Sequence, residues 1–120
     1  MANEITITHR FDVSNGNYDP GTISLSNEQY DQAAQGVQEN ILTINTSANV
    51  TISSTNLSTV GWLWMRNLDT TNYVQWGTTD GYVGRLEAGE PANLRVEPST
   101  VLVAKANTAA CSLWYRWLED

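Results

Sequence analysis

The chain has 120 residues, 41% hydrophobic and only 16% charged, with a single cysteine and a formal net charge of −7. That length suits one domain able to bury a core without disulfide or metal, and the lone Cys111 excludes an intrachain disulfide. Six scattered bases against 13 acids give no basic stripe for nucleic acid, and the longest apolar runs fall far short of a membrane span.

Thr is abundant, Val, Ile and Trp are well represented and Lys occurs once, which favours strands over helices. The opening segment, MANEITITHR, lacks the apolar stretch of a secretory signal. The expectation is a product made in the cytoplasm. Asn45, Asn49 and Asn56 head N-x-S/T triplets, which in a Ser/Thr-rich chain of this kind read as chance matches.

Period-two alternation organises the chain. Residues 3–13 set Ile5, Ile7 and His9 against Thr6 and Thr8, a first strand. SNGNYDPG (14–21) is dense in turn formers and reads as a loop. TISLS (22–26) alternates again. NEQYDQAAQGVQEN (27–40) has some helical character but no apolar stripe, and Gly36 interrupts it. It reads as an irregular connection with one helical turn near Glu28 to Ala34. ILTINT (41–46) and VTISS (50–54) are strands around a small turn. WLWMRNL (62–68), the turn from Asp69 to Asn72, and YVQWG (73–77) read as a hairpin. Asp80-Gly81 is a tight-turn dipeptide before YVGRLE (82–87). ANLRVE (92–97), TVLVAKA (100–106) and CSLWYRWLE (111–119) complete the set. This makes about eight or nine short strands at a spacing of about ten residues, the pattern of an all-β, antiparallel β-sandwich or jelly-roll-like domain. One domain is expected over residues 1–120.

Chemistry-bearing residues are few. His9 lies within a strand pattern and no nucleophile elbow accompanies it. One His and one Cys are too few for zinc. Asp12, Asn15, Asn17 and Asp19 have the flavour of a calcium loop but lack its closing acidic ligand. Glu87 and Glu90 form a close acidic pair, in a segment that reads as a turn rather than a cleft. The expectation is a protein with no catalytic residues, no cofactor and no metal.

The informative residues are aromatic. Trp62 and Trp64 share one strand face while Leu63 and Met65 share the other. Leu113, Tyr115 and Trp117 lie on one face of the last strand, with Trp114, Arg116 and Leu118 on the opposite one. Both faces of the first of these strands are apolar and neither face of the last is cleanly polar, more than one small sandwich easily fills. Trp, Tyr and Met are enriched in interface cores, so Trp62, Trp64, Tyr73 and Trp76, then Trp114 and Trp117, are the candidate contact residues. A competing reading is a carbohydrate-binding module, with Trp62, Trp64 and Trp76 as a stacking platform for a glycan.

Three segments carry a resemblance: NLDTTNYVQWG (67–77), VGRLEAGEPANLRVEP (83–98) and LVAKANTAACSLWYRWLED (102–120). Asn67, Asp69, Thr71, Asn72 and Tyr73, then Gly89-Glu90, then Ala106, Thr108, Ala109 and Ala110, resemble the ending of a group of small virion structural proteins of tailed phages and prophages. GVQENILTI (36–44) is loosely similar as well. The resemblance implies a β-sandwich that decorates the head, or belongs to the tail or neck. It implies a virion location, self-association (a trimer is the simplest lattice match) and the major capsid protein as partner. The high tryptophan content departs from the pattern. In residue terms, Asp69 and Asn72 are placed to fold back on their own backbone, and Gly89 to supply a positive φ.

Overall fold

The computed structural model describes residues 3–120. Among these every regular element is a strand: β1 (Ile5–Asn15), β2 (Tyr18–Tyr30), β3 (Val37–Ile44), β4 (Val50–Thr51), β5 (Val60–Asn67), β6 (Val74–Thr78), β7 (Gly81–Leu86), β8 (Pro91–Arg95), β9 (Val103–Ala106) and β10 (Cys111–Glu119). The chain divides into two compact units, Met1–Ala33 and Ala34–Asp120.

The first unit is an antiparallel ribbon, β1 against β2. The expected loop at 14–21 shrinks to a two-residue turn, Gly16-Asn17. Gly16 has φ +60 at the first central position, as a type II′ hairpin turn requires. Asp19, Pro20 and Gly21 lie inside β2. There the Gly21 N–H donates to Asp19 Oδ1 at 3.1 Å, and the register shifts between Val13 and Asn15. Turn chemistry here makes an irregularity within a strand instead of ending it. The helical turn expected near Glu28 to Ala34 does not form. β2 runs on to Tyr30 in its place, because Ile5, Thr6 and Ile7 offer partners to Tyr30, Gln29 and Glu28.

The second unit holds two four-stranded antiparallel sheets, in the orders β3-β10-β5-β8 and β4-β9-β6-β7. First pairs with last, second with next to last, and so inward: β3 with β10, β4 with β9, β5 with β8, β6 with β7. This is one long antiparallel hairpin rolled until β5 meets β10 and β6 meets β9. The result is an eight-stranded jelly roll.

The expected hairpin between residues 62–68 and 73–77 is a crossover instead. β5 and β6 belong to different sheets. The turn chemistry of Asp69 is present, since Oδ2 accepts from the Thr71 and Asn72 backbone N–H groups. It carries the chain from one layer to the other.

The core lies between the sheets. Leu63, Met65, Leu113, Tyr115 and Trp117 from one sheet meet Val74, Leu86, Ala104 and Ala106 from the other, all buried. Trp117 also joins the layers by a polar link, its indole N–H donating to the Ile52 carbonyl at 3.1 Å. Asn67 is the one buried polar side chain among the described residues. Its amide donates to the carbonyls of Asn72, Leu86 and Glu87 at 2.8, 3.1 and 3.2 Å. Its Oδ1 accepts from Asp69 N–H at 3.0 Å. One side chain therefore ties the end of β5 to the crossover and to the end of β7.

Candidate functional site

Strict alternation along β5 and β10 fills the core with one set of side chains and sends the other outward. On the outer face of the four-stranded sheet, cross-strand register sets Ile41, Trp114, Arg66 and Pro91 in one row, and Glu39, Arg116, Trp64 and Asn93 in the next. Val37 and Leu118 oppose each other at one margin, and Trp62 faces Arg95. Three half-buried indoles, three guanidinium groups and exposed Val37 and Ile41 thus share one surface.

Trp64 and Trp114 meet edge to face, with ring centroids 4.7 Å apart and planes at 80°, a geometry the ring quadrupoles favour. Glu39 fixes both Trp114 and Arg116. One carboxylate oxygen accepts the Trp114 indole N–H at 2.7 Å, and the other accepts Arg116 Nε at 2.9 Å and pairs with Nη2 at 2.8 Å. The Trp114 hydrogen bond, then the Arg116 hydrogen bond, hold the Glu39 carboxyl below its ordinary range. Arg66 donates through Nε to the Gly89 carbonyl at 3.0 Å, and Arg95 pairs with Asp120. Each of the three guanidinium groups therefore has a hydrogen-bonding or ionic partner within the same sheet or at its margin.

The other candidate residues lie elsewhere. Trp117 is wholly buried between the sheets. Trp76, paired with Gly84 and Ala104, packs on the core. A Cβ on Gly84 would sit 2.2 Å from an atom of its indole ring. The Trp76 indole N–H is buried without a hydrogen-bond partner. Tyr73, at the end of the crossover, lies under Arg85, whose guanidinium carbon is 3.9 Å from the ring centroid, a cation–π contact. Of the six aromatics selected by sequence, the fold brings Trp62, Trp64 and Trp114 onto one outer face. It places Trp76 and Trp117 against the core, and Tyr73 at the joint between sheets. Alternation grouped Trp62 with Trp64 on one strand face without telling which face turned outward; Arg66, Arg95 and Glu39 went unselected, because they join the outer face through strand pairings far apart in sequence.

The residues of the N-x-D-x-T-N-Y pattern form one joint. Beyond the Asn67 and Asp69 bonds, Thr108 Oγ1 donates to Asn72 Oδ1 at 2.6 Å, and Tyr73 N–H donates to Asn107 Oδ1 at 3.1 Å. Gly89 has φ +80, in a turn closed by the Glu90 N–H to Glu87 carbonyl bond at 3.0 Å. Glu90 Oε2 accepts from the Glu87 N–H, so the close acidic pair serves the turn. A cleft of about 420 Å³ lined by Arg66, Asn67, Leu68, Asp69, Thr70, Ala88 and Gly89 lies beside this joint. Asp69, Asn67 and Arg66 in its wall are already engaged as described.

His9 is exposed on the ribbon opposite Leu25, and Cys111 is buried, its thiol pushed up by desolvation and by Asp69. Among the described residues no group of three or more His, Cys, Asp or Glu side chains is placed to hold a metal ion. Fold and face together define a jelly roll carrying an aromatic and guanidinium surface. No family model matches the chain, and no curated protein matches it.

Proposed function

We propose that the chain is a non-enzymatic structural protein of a tailed-phage particle, a head decoration or cement protein that bridges neighbouring coat subunits. The observation that carries this reading is the outer sheet face, where Trp62, Trp64 and Trp114 lie among Arg66, Arg95 and Arg116. Trp, Tyr and Arg dominate the residues that hold protein interfaces together. Here Trp114 and the three arginines are engaged by Glu39, Gly89 and Asp120. The jelly roll is compatible with a particle component, although a fold alone assigns no function. The resemblance of residues 67–77, 83–98 and 102–120 to virion proteins adds the particle context.

A glycan-binding module is the alternative. A sugar ring stacks best on indoles that present one flat surface, and Trp64 and Trp114 cross at 80°, which weighs against such a platform. A tail or neck location uses the same face and differs only in partner.

The test is the composition of phage particles purified on a density gradient from the strain that encodes the chain. The reading expects the chain to sediment with DNA-filled heads at a fixed ratio to the major coat protein. Its absence from heads, tails and necks alike would contradict the virion assignment. Its presence in tails alone would move it from the head.

A further inference from the structure

The N-terminal ribbon is amphipathic toward its tip. On one face β1 and β2 set Ile7 beside Glu28, His9 beside Leu25, Phe11 beside Ile23, Val13 beside Gly21 and Asn15 beside Tyr18. On the other, Thr6 pairs with Gln29, Arg10 with Ser24 and Asp12 with Thr22, and Arg10 and Asp12 form an exposed ion pair at 3.2 Å. The apolar face is open toward the tip: Phe11 is 70% exposed, Tyr18 and Ile23 66%, Leu25 47% and Val13 36%. A lone two-stranded ribbon is at best marginally stable in water. An exposed apolar patch on this scale marks an interaction site.

We infer that this face is a self-association surface, which a second copy of the chain covers with its own ribbon. Two observations select that occupant, and the charge of the ribbon supplies a test of it. The five exposed side chains present roughly 500 Å², so two copies face to face remove about 1,000 Å², the threshold for a specific interface. The face is self-complementary in relief. The small Val13–Gly21 rung lies next to the bulky Phe11–Ile23 rung, so an antiparallel two-fold stack seats each copy's bulk in the other's notch. The charges point the other way. Between Phe11 and the tip the apolar face has no ionic group, while Arg10 and Asp12 lie on the opposite, water-facing side. The ribbon unit holds five carboxylates (Glu4, Asp12, Asp19, Glu28 and Asp31) against Arg10 alone. Salt screens that like-charge repulsion and therefore tightens self-association, whereas it loosens docking to a basic partner. This inference does not depend on the virion assignment.

The test is the mass of the full chain by sedimentation velocity across a dilution series, at low and high salt. All five tryptophans lie between Trp62 and Trp117, so indole emission reports on the jelly roll and not on the ribbon. The wild type is expected as a multiple of the single-chain mass at tens of micromolar, more strongly associated at high salt. The double variant Phe11→Asp/Ile23→Asp is expected as a single chain with unchanged indole emission, and Thr22→Asp, on the polar face, still associates. A wild type that stays a single chain throughout overturns the inference. A double variant that associates like the wild type overturns it equally.

Discussion

The Glu39 carboxylate on β3 accepts the indole N–H of Trp114 on the adjacent strand β10, at 2.7 Å. This bond, made on the outside of the sheet, fixes an aromatic ring that the core does not use. The same carboxylate takes the Arg116 guanidinium, so one acid orders two of the residues proposed to bind.

Removing that acid should therefore separate binding from folding. Glu39→Gln keeps the shape but loses the ionic partner of Arg116, and an exposed ion pair contributes little to stability. The expected result is a melting temperature close to wild type, with weaker attachment to heads. A variant that binds heads as well as the wild type would show that ordering of Trp114 and Arg116 is irrelevant to docking.

The aromatic set should split by location. Trp117 fills the space between the sheets and donates to Ile52. Trp117→Ala is expected to cost about 3–5 kcal/mol in urea unfolding. Trp64→Ala, on the outer face, should cost about 1 kcal/mol, the scale of one edge-to-face aromatic contact. Equal losses at the two positions would contradict the assignment of faces.

Asn67 offers a sharper case. Asn67→Ala takes a donor from the Asn72 and Leu86 carbonyls, while the Glu87 carbonyl keeps the Glu90 N–H. A loss of about 2–3 kcal/mol is expected. Asn67→Asp should be worse, because it aims a carboxylate at those same carbonyl oxygens. Urea titrations of both variants check the order.

Acid should weaken the fold through named carboxylates. Asp69 and Glu119 are held below their ordinary values, chiefly by the Asn72 backbone N–H and the Ser58 backbone N–H respectively. A depressed folded-state pKa adds stability that is present above the unfolded value and lost as pH falls through the folded one. The melting temperature is expected to stay level from neutral pH to about pH 5 and to drop below about pH 4. Replacing Asp69 by Asn should flatten part of that drop.

The strands and their faces were legible in the sequence where alternation was strict. Residues 111–119 read as the last strand, and β10 spans Cys111–Glu119. The opposed faces of Trp62/Trp64 and Leu63/Met65 follow from period two alone, and so does the all-β class. Pairing was not legible. Residues 62–68 and 73–77 look like a hairpin because a turn separates them, yet β5 pairs with β8 and β10. Alternation fixes which way a side chain points, not which strand lies beside it. Local turn chemistry misled in the same way at Asp19, Pro20 and Gly21, where β1 supplies the pairing that carries β2 through. The outer face was half visible: its indoles stand out in sequence, whereas Glu39 reaches Trp114 across 75 residues.

The most direct test of the proposed docking face is a titration of heads that lack the chain, using purified wild type and the double variant Trp114→Ala/Arg116→Glu. Bound protein is read by sedimentation with the heads. Saturable binding of the wild type at a fixed number of copies per head, lost in a variant that melts as a folded protein, is the predicted result. Undiminished binding by that variant, or no saturable binding by the wild type, would contradict it.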